Sequence, residues 1–275
     1  MAHSFLLKNA DGTLTAELCP VHGGMVSQIF LNEKPILHID RGSLETAPMA
    51  AGGMPLLFPF PSKTKDDTYR LDDQTYYMPM HGLVKNAAFA VKEVTPNTAT
   101  FWIGSNPAWM AQCYPFDFYL EVSYRLEGNT LYTTVSVTNR SDSPMPHYLG
   151  WHPFFLSTDK KNIFLDQSMT VHYDYGACVD HPMEGKLDLS TWLDDVFHSP
   201  KDHTFQLTNP VDGYEVDCRF SKAFDAMVVC SWVTDSMCVE PWCGLPDSIN
   251  QNRFLQWIAP GETARYHMDF TLRSI

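Results

Sequence analysis

The chain has 275 residues, with 19 Lys+Arg against 32 Asp+Glu and a formal net charge of −13. Hydrophobic residues make up 44% of it, which excludes global disorder, and aromatic residues reach 13%. An acidic chain lacks the basic surface that binds a phosphate backbone, so we expect no nucleic acid partner. No apolar run approaches the ~18 residues of a membrane span, and the first residues do not resemble a signal peptide, so we expect no membrane association.

Short segments with strand character dominate the chain. Residues 120–126 and 131–137 alternate apolar and polar side chains around Glu127-Gly128-Asn129, which predicts a β-hairpin with a tight turn. Residues 264–272 alternate in the same way. In chain order, the predicted strands are 4–8, 13–19, 25–31, 87–94, 98–104, 120–126, 131–137, 203–207, 214–219, 227–233, 253–258 and 264–272.

Helical patterns are scarce. No segment keeps the i, i+3, i+4, i+7 spacing of apolar residues over three turns without Pro or Gly. Internal repeats, low-complexity tracts and linkers are also missing from the sequence. We therefore predict an all-β protein with few short helices, in which residues 1–275 form a single large antiparallel domain.

Residues 41–80 form the conspicuous irregular segment. Prolines at 55, 59 and 61 exclude central-strand pairing there. Irregular segments of this length in compact domains are usually functional or disordered, and the Phe and Leu content argues against disorder. We expect this segment to pack over a functional site.

The seven cysteines are an odd number and contain no CxxC pair, which favours reduced thiols and a cytoplasmic protein. Cys238 and Cys243 enclose four residues, but no companion pair completes a zinc site, and no calcium-loop spacing is present. The sequence therefore predicts no metal.

Several segments place an acid or base beside aromatic, Pro and Gly residues, where partial desolvation shifts pKa values. They are His81-Gly-Leu-Val-Lys-Asn86, Trp151-His-Pro-Phe-Phe155, Trp192-Leu-Asp-Asp-Val-Phe197 and Val239-Glu-Pro-Trp242. Each has an ordinary interpretation as well: a buried histidine, a turn histidine, a capping aspartate or a carboxylate at a strand end. The residues alone support an acid–base site of histidine and carboxylate, and no nucleophile, zincin or phosphate-loop motif.

The segments also resemble, in order, the aldose 1-epimerase (galactose mutarotase-like) family, closest to its glucose-6-phosphate 1-epimerase and LacX-type branch. The resemblance rests on Gly53-Met-Pro-Leu-Leu-Phe-Pro-Phe-Pro61, His81-Gly-Leu-Val-Lys-Asn86, His152-Pro-Phe-Phe155, Asp194-Asp-Val-Phe197, Glu240-Pro-Trp242 and Ala259-Pro-Gly-Glu262. It implies a β-supersandwich and a cofactor-free reaction, the interconversion of the α and β anomers of an aldose.

The resemblance also implies roles for individual residues. His152 would be the acid that protonates the ring oxygen, and Glu240 the base that takes the proton of the C1 hydroxyl. His81 and Asp194 would bind sugar hydroxyls, and Trp242 would lie beside the base. Lys63 and Lys85 stand where the family often has arginine, and a lysine offers a point charge instead of a planar fork.

Three functions follow as hypotheses. The first is a sugar mutarotase, acting on a neutral or anionic hexose as a monomer or homodimer. The second is a carbohydrate-binding or regulatory protein that kept the cleft without useful turnover. The third is a glycoside hydrolase, which needs two carboxylates across the bond and for which no motif pairs Asp194 with Glu240.

Overall fold

A computed structural model of the protein describes residues 4–46 and 50–275. Within these ranges the chain forms 22 strands, three short α-helices and two 3₁₀ turns, so the predicted all-β class with few short helices is confirmed. None of the helices in these ranges is long and apolar enough to cross a membrane. Residues 47–49, part of the irregular segment 41–80, lie outside the described residues.

The strands are numbered in chain order. Strands β1 to β11 are Phe5–Lys8, Leu14–Cys19, Met25–Leu31, Lys34–Pro35, Leu56–Leu57, Thr68–Leu71, Gln74–Tyr77, Ala90–Val94, Thr98–Gly104, Phe118–Glu127 and Thr130–Asn139. Strands β12 to β22 are Met145–His147, Gly150–Trp151, Phe154–Leu156, Phe164–Asp174, Val179–Pro182, Asp194–Asn209, Tyr214–Phe220, Ala226–Cys230, Ser236–Trp242, Gln256–Ile258 and Thr263–Ser274. The α-helices are Ser43–Thr46, Pro107–Gln112 and Ser248–Gln251, and the 3₁₀ turns are Lys65–Asp67 and Lys160–Asn162.

One large antiparallel sheet organises the fold. Its strand order is β5-β13-β20-β19-β17-β18-β22-β11-β10-β9-β8, with β14 paired to β20 and β15 paired to β16 and β17. A second antiparallel sheet, β1-β2-β3-β4, contacts β10 and β22 and so covers the middle of the large sheet. Two sheets packed face to face give the predicted β-sandwich.

The predicted hairpin is confirmed in register. Leu126 lies opposite Leu131, and Gly128 in the turn has φ of 53°. Two of the other predictions were too long, because β8 begins at Ala90 and β21 begins at Gln256. The strand predicted over 227–233 ends at Cys230, so its last residues were wrong.

Several strands were not predicted, and their burial explains why. Strand β20 is buried along its whole length, and β15 is mostly half-exposed, so neither shows the alternation that identifies a strand. The predicted strand 203–207 is only the end of β17, which has 16 residues.

Apolar side chains form two clusters on opposite faces of strands β17, β19 and β20. Along β20, Met237 and Val239 belong to the main core between the sheets. Trp242 on the same strand belongs to a smaller cluster. Because successive side chains of a strand point to opposite faces, Cys238 and Glu240 lie on the face of the smaller cluster. The members of the smaller cluster are Leu57, Tyr173, Val196, Ala226, Val228, Trp242 and Leu245.

Candidate active site

The irregular Pro-rich segment holds the site histidines through its carbonyl groups. The backbone N–H of His152 donates to Pro55 O at 3.1 Å, and that of His81 donates to Ser62 O at 2.7 Å. Two residues of the irregular segment, Pro55 and Ser62, therefore hydrogen-bond the backbone of the two histidines.

The His81-Gly82 turn requires a close approach to this segment. His81 has φ of 69°, a left-handed conformation that costs free energy for a residue with a side chain. Gly82 has φ of 79°, and a Cβ atom there would lie 2.3 Å from Phe58 O. Such strained positions cluster at functional sites, where the surrounding structure holds them in place.

His152, between β13 and β14, and Glu240, on β20, are far apart in the sequence and close in the fold. His152 Nδ1 lies 3.4 Å from Glu240 Oε1, a charge-pair distance without the geometry of a hydrogen bond. His152 is 6% exposed and Glu240 is 1% exposed. The ring of His152 stacks on Phe154 at 4.3 Å and meets the ring of His81 edge-on at 5.3 Å.

Several buried polar atoms of this pair and of its neighbours have no hydrogen-bond partner. His152 Nδ1, Glu240 Oε2, His81 Nδ1 and the indole nitrogen of Trp242 all lack a hydrogen-bond partner. Most buried polar atoms in proteins have one, because an unpaired group costs about 1–3 kcal/mol. Unpaired buried donors and acceptors are available to a polar ligand.

Burial sets the charge of the pair. It holds the pKa of His152 well below its usual range, and the neighbouring His81 and Lys85 act in the same direction. Burial also raises the pKa of Glu240 well above its usual range; Cys230 and Asp194 add to the rise, while Lys85 and the nearby Trp242 oppose it. The indole N–H of Trp242 is not in hydrogen-bonding geometry with the carboxylate. In the free protein, both shifts favour the uncharged forms.

His81 and Lys85 complete the electrostatic environment. Burial, with a smaller contribution from Lys85, lowers the pKa of His81 to about 3, so its imidazole is neutral at physiological pH. Burial lowers the pKa of Lys85 too, but Glu240 and Cys238 oppose that shift. Lys85 is half-buried and lies close enough to Glu240 to interact with it electrostatically.

Of the remaining predicted residues, Asp194 and Trp242 lie near Glu240. Asp194 is opposite Cys230 on the neighbouring strand; although it is exposed by surface area, partial burial and Asp195 raise its pKa. Trp242 is almost fully buried and packs closely over Gly150, where a Cβ atom would lie 2.3 Å from its Cδ1. Lys63 is exposed beside Ser62.

Cysteines in the site were not foreseen as site residues. Cys238 lies two residues before Glu240 on the same strand face, and Cys230 is directly opposite Cys238 on β19. In the sequence, Cys238 stood out only through its spacing from Cys243 as a possible pair of zinc ligands. Cys243 belongs to the main core instead. The period-two spacing of Cys238, Glu240 and Trp242 was the available signal.

The more open cavities lie elsewhere. One of about 570 Å³ opens on the large sheet and is lined mainly by polar side chains, including Gln167, Thr204, Asp217 and Asp269. It contains none of the predicted site residues and no converging acid–base pair. The His152–Glu240 centre is therefore the better candidate, because chemistry depends on positioned groups and not on volume.

Comparisons with known proteins concern the chain as a whole. Residues 52–271 match the family model described as aldose 1-epimerase. The chain is 27% identical to the chromosomal LacX protein of Lactococcus lactis subsp. lactis, over 80% of this chain and 85% of that protein.

Solved structures share the fold at lower identity. The Slr1438 protein of Synechocystis sp. PCC 6803 superposes with a TM-score of 0.93 at 24% identity, covering 100% of this chain and 97% of that one. A putative aldose 1-epimerase of Escherichia coli K12 superposes with a TM-score of 0.83 at 17% identity, covering 99% of each chain.

Proposed function

Because the chain belongs to the aldose 1-epimerase family, whose model matches residues 52–271, we propose that it interconverts the anomers of a hexose with His152 and Glu240 as the acid–base pair. Ring opening needs one group to remove the proton of the C1 hydroxyl and another to protonate the ring oxygen. Both oxygens are bonded to the same carbon, so the two catalytic groups must lie side by side. The observation that carries the proposal is the buried pair at 3.4 Å with unpaired polar atoms.

The reaction proceeds in balanced proton transfers. Glu240 accepts the hydroxyl proton as the C1–ring oxygen bond breaks, and His152 donates a proton to the ring oxygen. The open-chain aldehyde then rotates about C1–C2, and the reverse transfers close the ring with the other configuration. Positioned proton transfer contributes about 10²–10⁴-fold for each group.

The pKa directions constrain the protonation of the pair. Burial favours neutral His152 and protonated Glu240 in the free protein, which together hold a single proton. The acid role of His152 requires that proton to reside on the imidazole in the sugar complex. Polar sugar hydroxyls and the ammonium of Lys85 favour the required carboxylate form of Glu240.

The other site residues bind the sugar. His81, neutral and with an unpaired Nδ1, hydrogen-bonds a hydroxyl or the ring oxygen, and Asp194 binds hydroxyls at the open edge of the site. Trp242 forms the apolar floor beside the base. Lys85 is the residue that would favour an anionic hexose, since it is half-buried in the site whereas Lys63 is exposed.

Optical rotation tests the proposal. Freshly dissolved α-glucose, α-galactose and glucose 6-phosphate are followed with the wild-type protein, His152→Ala, Glu240→Gln and a buffer blank at the same pH. We expect acceleration of at least one sugar by the wild type and a loss of about 10²–10⁴-fold in each variant. Surface His181→Ala, which changes an exposed histidine, is the matched control and should keep the wild-type rate.

The results separate the competing functions. Wild-type acceleration that survives in both variants would show that the pair is not catalytic. Saccharide binding in calorimetry without any acceleration would instead support a binding protein on the same fold. If Lys85→Gln raises the KM for glucose 6-phosphate more than the KM for glucose, the substrate is anionic.

A further inference from the structure

We propose that the site also binds a divalent cation of the zinc class, through His152 Nδ1, Cys238 Sγ and a carboxylate oxygen of Glu240. One ligand atom of each residue lies within 4.8 Å of those of the other two, and His152 Nδ1 lies 3.4 Å from Glu240 Oε1. Among residues 4–46 and 50–275, no other trio of His, Cys, Asp or Glu side chains is arranged in this way. The cation would occupy the atoms that transfer protons, so it would exclude the sugar reaction.

Burial and unpaired atoms are the second observation. His152, Cys238 and Glu240 are 6%, 0% and 1% exposed, and both His152 Nδ1 and Glu240 Oε2 lack a hydrogen-bond partner. Imidazole, thiolate and carboxylate are together the donor set of zinc, whereas magnesium and calcium select oxygen donors.

The distances need only a small adjustment. Ligands about 2.0–2.3 Å from a tetrahedral zinc ion lie roughly 3.3–3.7 Å apart. His152 Nδ1 and Glu240 Oε1 already meet this at 3.4 Å, and the ligand atom of Cys238 lies within 4.8 Å of those of His152 and Glu240. Binding releases the thiol proton of Cys238 and the carboxyl proton of Glu240 to solvent, and the resulting thiolate and carboxylate balance the charge of the cation.

Lys85 opposes this binding. Its ammonium lies close enough to Glu240 and Cys238 to interact with both electrostatically, and it repels a cation at the same place. Removing that charge by Lys85→Gln should therefore increase the affinity for the cation, even though it decreases the affinity for an anionic sugar.

Cobalt(II) is the probe, because a thiolate ligand gives it a sulfur-to-metal charge-transfer absorption that surface histidines cannot produce. The reduced full-length protein is titrated with Co²⁺ and then with Zn²⁺ as a competitor. We expect one equivalent of Co²⁺ with the thiolate absorption, its displacement by Zn²⁺, and affinity at least ~10-fold tighter than in Cys238→Ser. Lys85→Gln should bind Co²⁺ more tightly than the wild type.

Cys243→Ser is the matched control, because Cys243 is equally buried and follows β20 but belongs to the main core. It should keep both the absorption and the affinity, with Tm values confirming that the variants fold. A wild-type protein without the absorption, or one whose absorption survives in Cys238→Ser, would overturn the proposal. The titration contains no sugar, so a failure of the mutarotase proposal leaves its result unaffected.

Discussion

The hairpin of β10 and β11 and the site strand β20 belong to the same sheet. They differ in the burial and hydrogen bonding of their polar side chains. In the hairpin, apolar residues alternate with polar ones, and half-exposed polar residues pair with those of the neighbouring strands: Thr100 with Ser123, and Thr138 with Thr263. Its buried unpaired atoms are the neutral hydroxyls of Tyr124 and Thr133. In β20 every residue is buried, and Glu240 and Ser236 each keep a side-chain oxygen without a partner.

The difference separates stability from function. Satisfied cross-strand pairs contribute modestly to stability and leave nothing for a ligand to bind. Unpaired buried groups cost stability, and an unpaired acid or base among them is available to a ligand or a reaction. The two regions should therefore respond in opposite ways to the removal of polar atoms and to added bulk.

Two glycines test how tightly each region is constrained. Gly128 in the hairpin turn and Gly82 beside His81 both have positive φ, but a Cβ at Gly128 meets nothing within 4 Å. Gly128→Ala should cost about 1–2 kcal/mol of unfolding free energy, from its left-handed backbone alone. Gly82→Ala should cost about 2–5 kcal/mol, because the clash with Phe58 O adds to that strain.

Urea denaturation measures both costs. Gly82→Ala should also reduce mutarotation by the folded protein, since the shift displaces His81, whereas Gly128→Ala should not. Equal costs in the two variants would mean that the site turn has room to relax.

The same contrast explains what the sequence could predict. The hairpin depends on local alternation and a Gly-Asn turn, so both its strands and its register could be predicted. The residue types of the site could be predicted from motifs such as Trp151-His-Pro and Val239-Glu-Pro. The residues alone could not show that His152 and Glu240 lie side by side, and only the family resemblance implied it. Their contact depends on the pairing of β14 with β20 and on carbonyl groups of the Pro-rich segment.

Residue chemistry at the site was hardest to predict where burial decides it. Cys238 is an ordinary cysteine in sequence, and only the register of β20 places it on the Glu240 face. Lys63 and Lys85 look alike in sequence, yet one is exposed and the other half-buried among ionisable groups. The single-domain organisation and the monomer or homodimer state stay predictions.

Replacing the buried carboxylate tests the stability cost of the site. Glu240→Gln should raise the unfolding free energy by about 1–3 kcal/mol at pH 8 while it abolishes catalysis. The raised pKa means that folded Glu240 holds its proton more tightly than the unfolded chain does. Wild-type stability therefore falls as pH rises above the ordinary Glu value of about 4.3, and the advantage of Gln should grow over the same range.

Glu121 in the hairpin is the matched control with the opposite sign. Burial opposes the shift, but hydrogen bonds from Lys92 and Tyr119 lower the pKa of Glu121. Its stabilisation is present above the ordinary Glu pKa and disappears as pH falls through the lowered value, so Glu121→Gln should lose stability at pH 8. Solvent screening keeps this loss of unfolding free energy smaller than the gain expected for Glu240→Gln. Denaturation at pH 5 and pH 8 that shows the same sign for both variants would contradict the contrast.

The smallest effect concerns a satisfied pair on the outer face of the hairpin sheet. Thr138 and Thr263 are cross-strand neighbours whose hydroxyl oxygens lie 2.8 Å apart. A double-mutant cycle of Thr138→Val and Thr263→Val should give a coupling free energy of about 0.2–1 kcal/mol, because each half-exposed hydroxyl can exchange its partner for water. Mutarotation should be unchanged in all three variants. A coupling well above this range, or altered turnover, would mean that the hairpin is not the passive scaffold that its cross-strand threonine pair indicates.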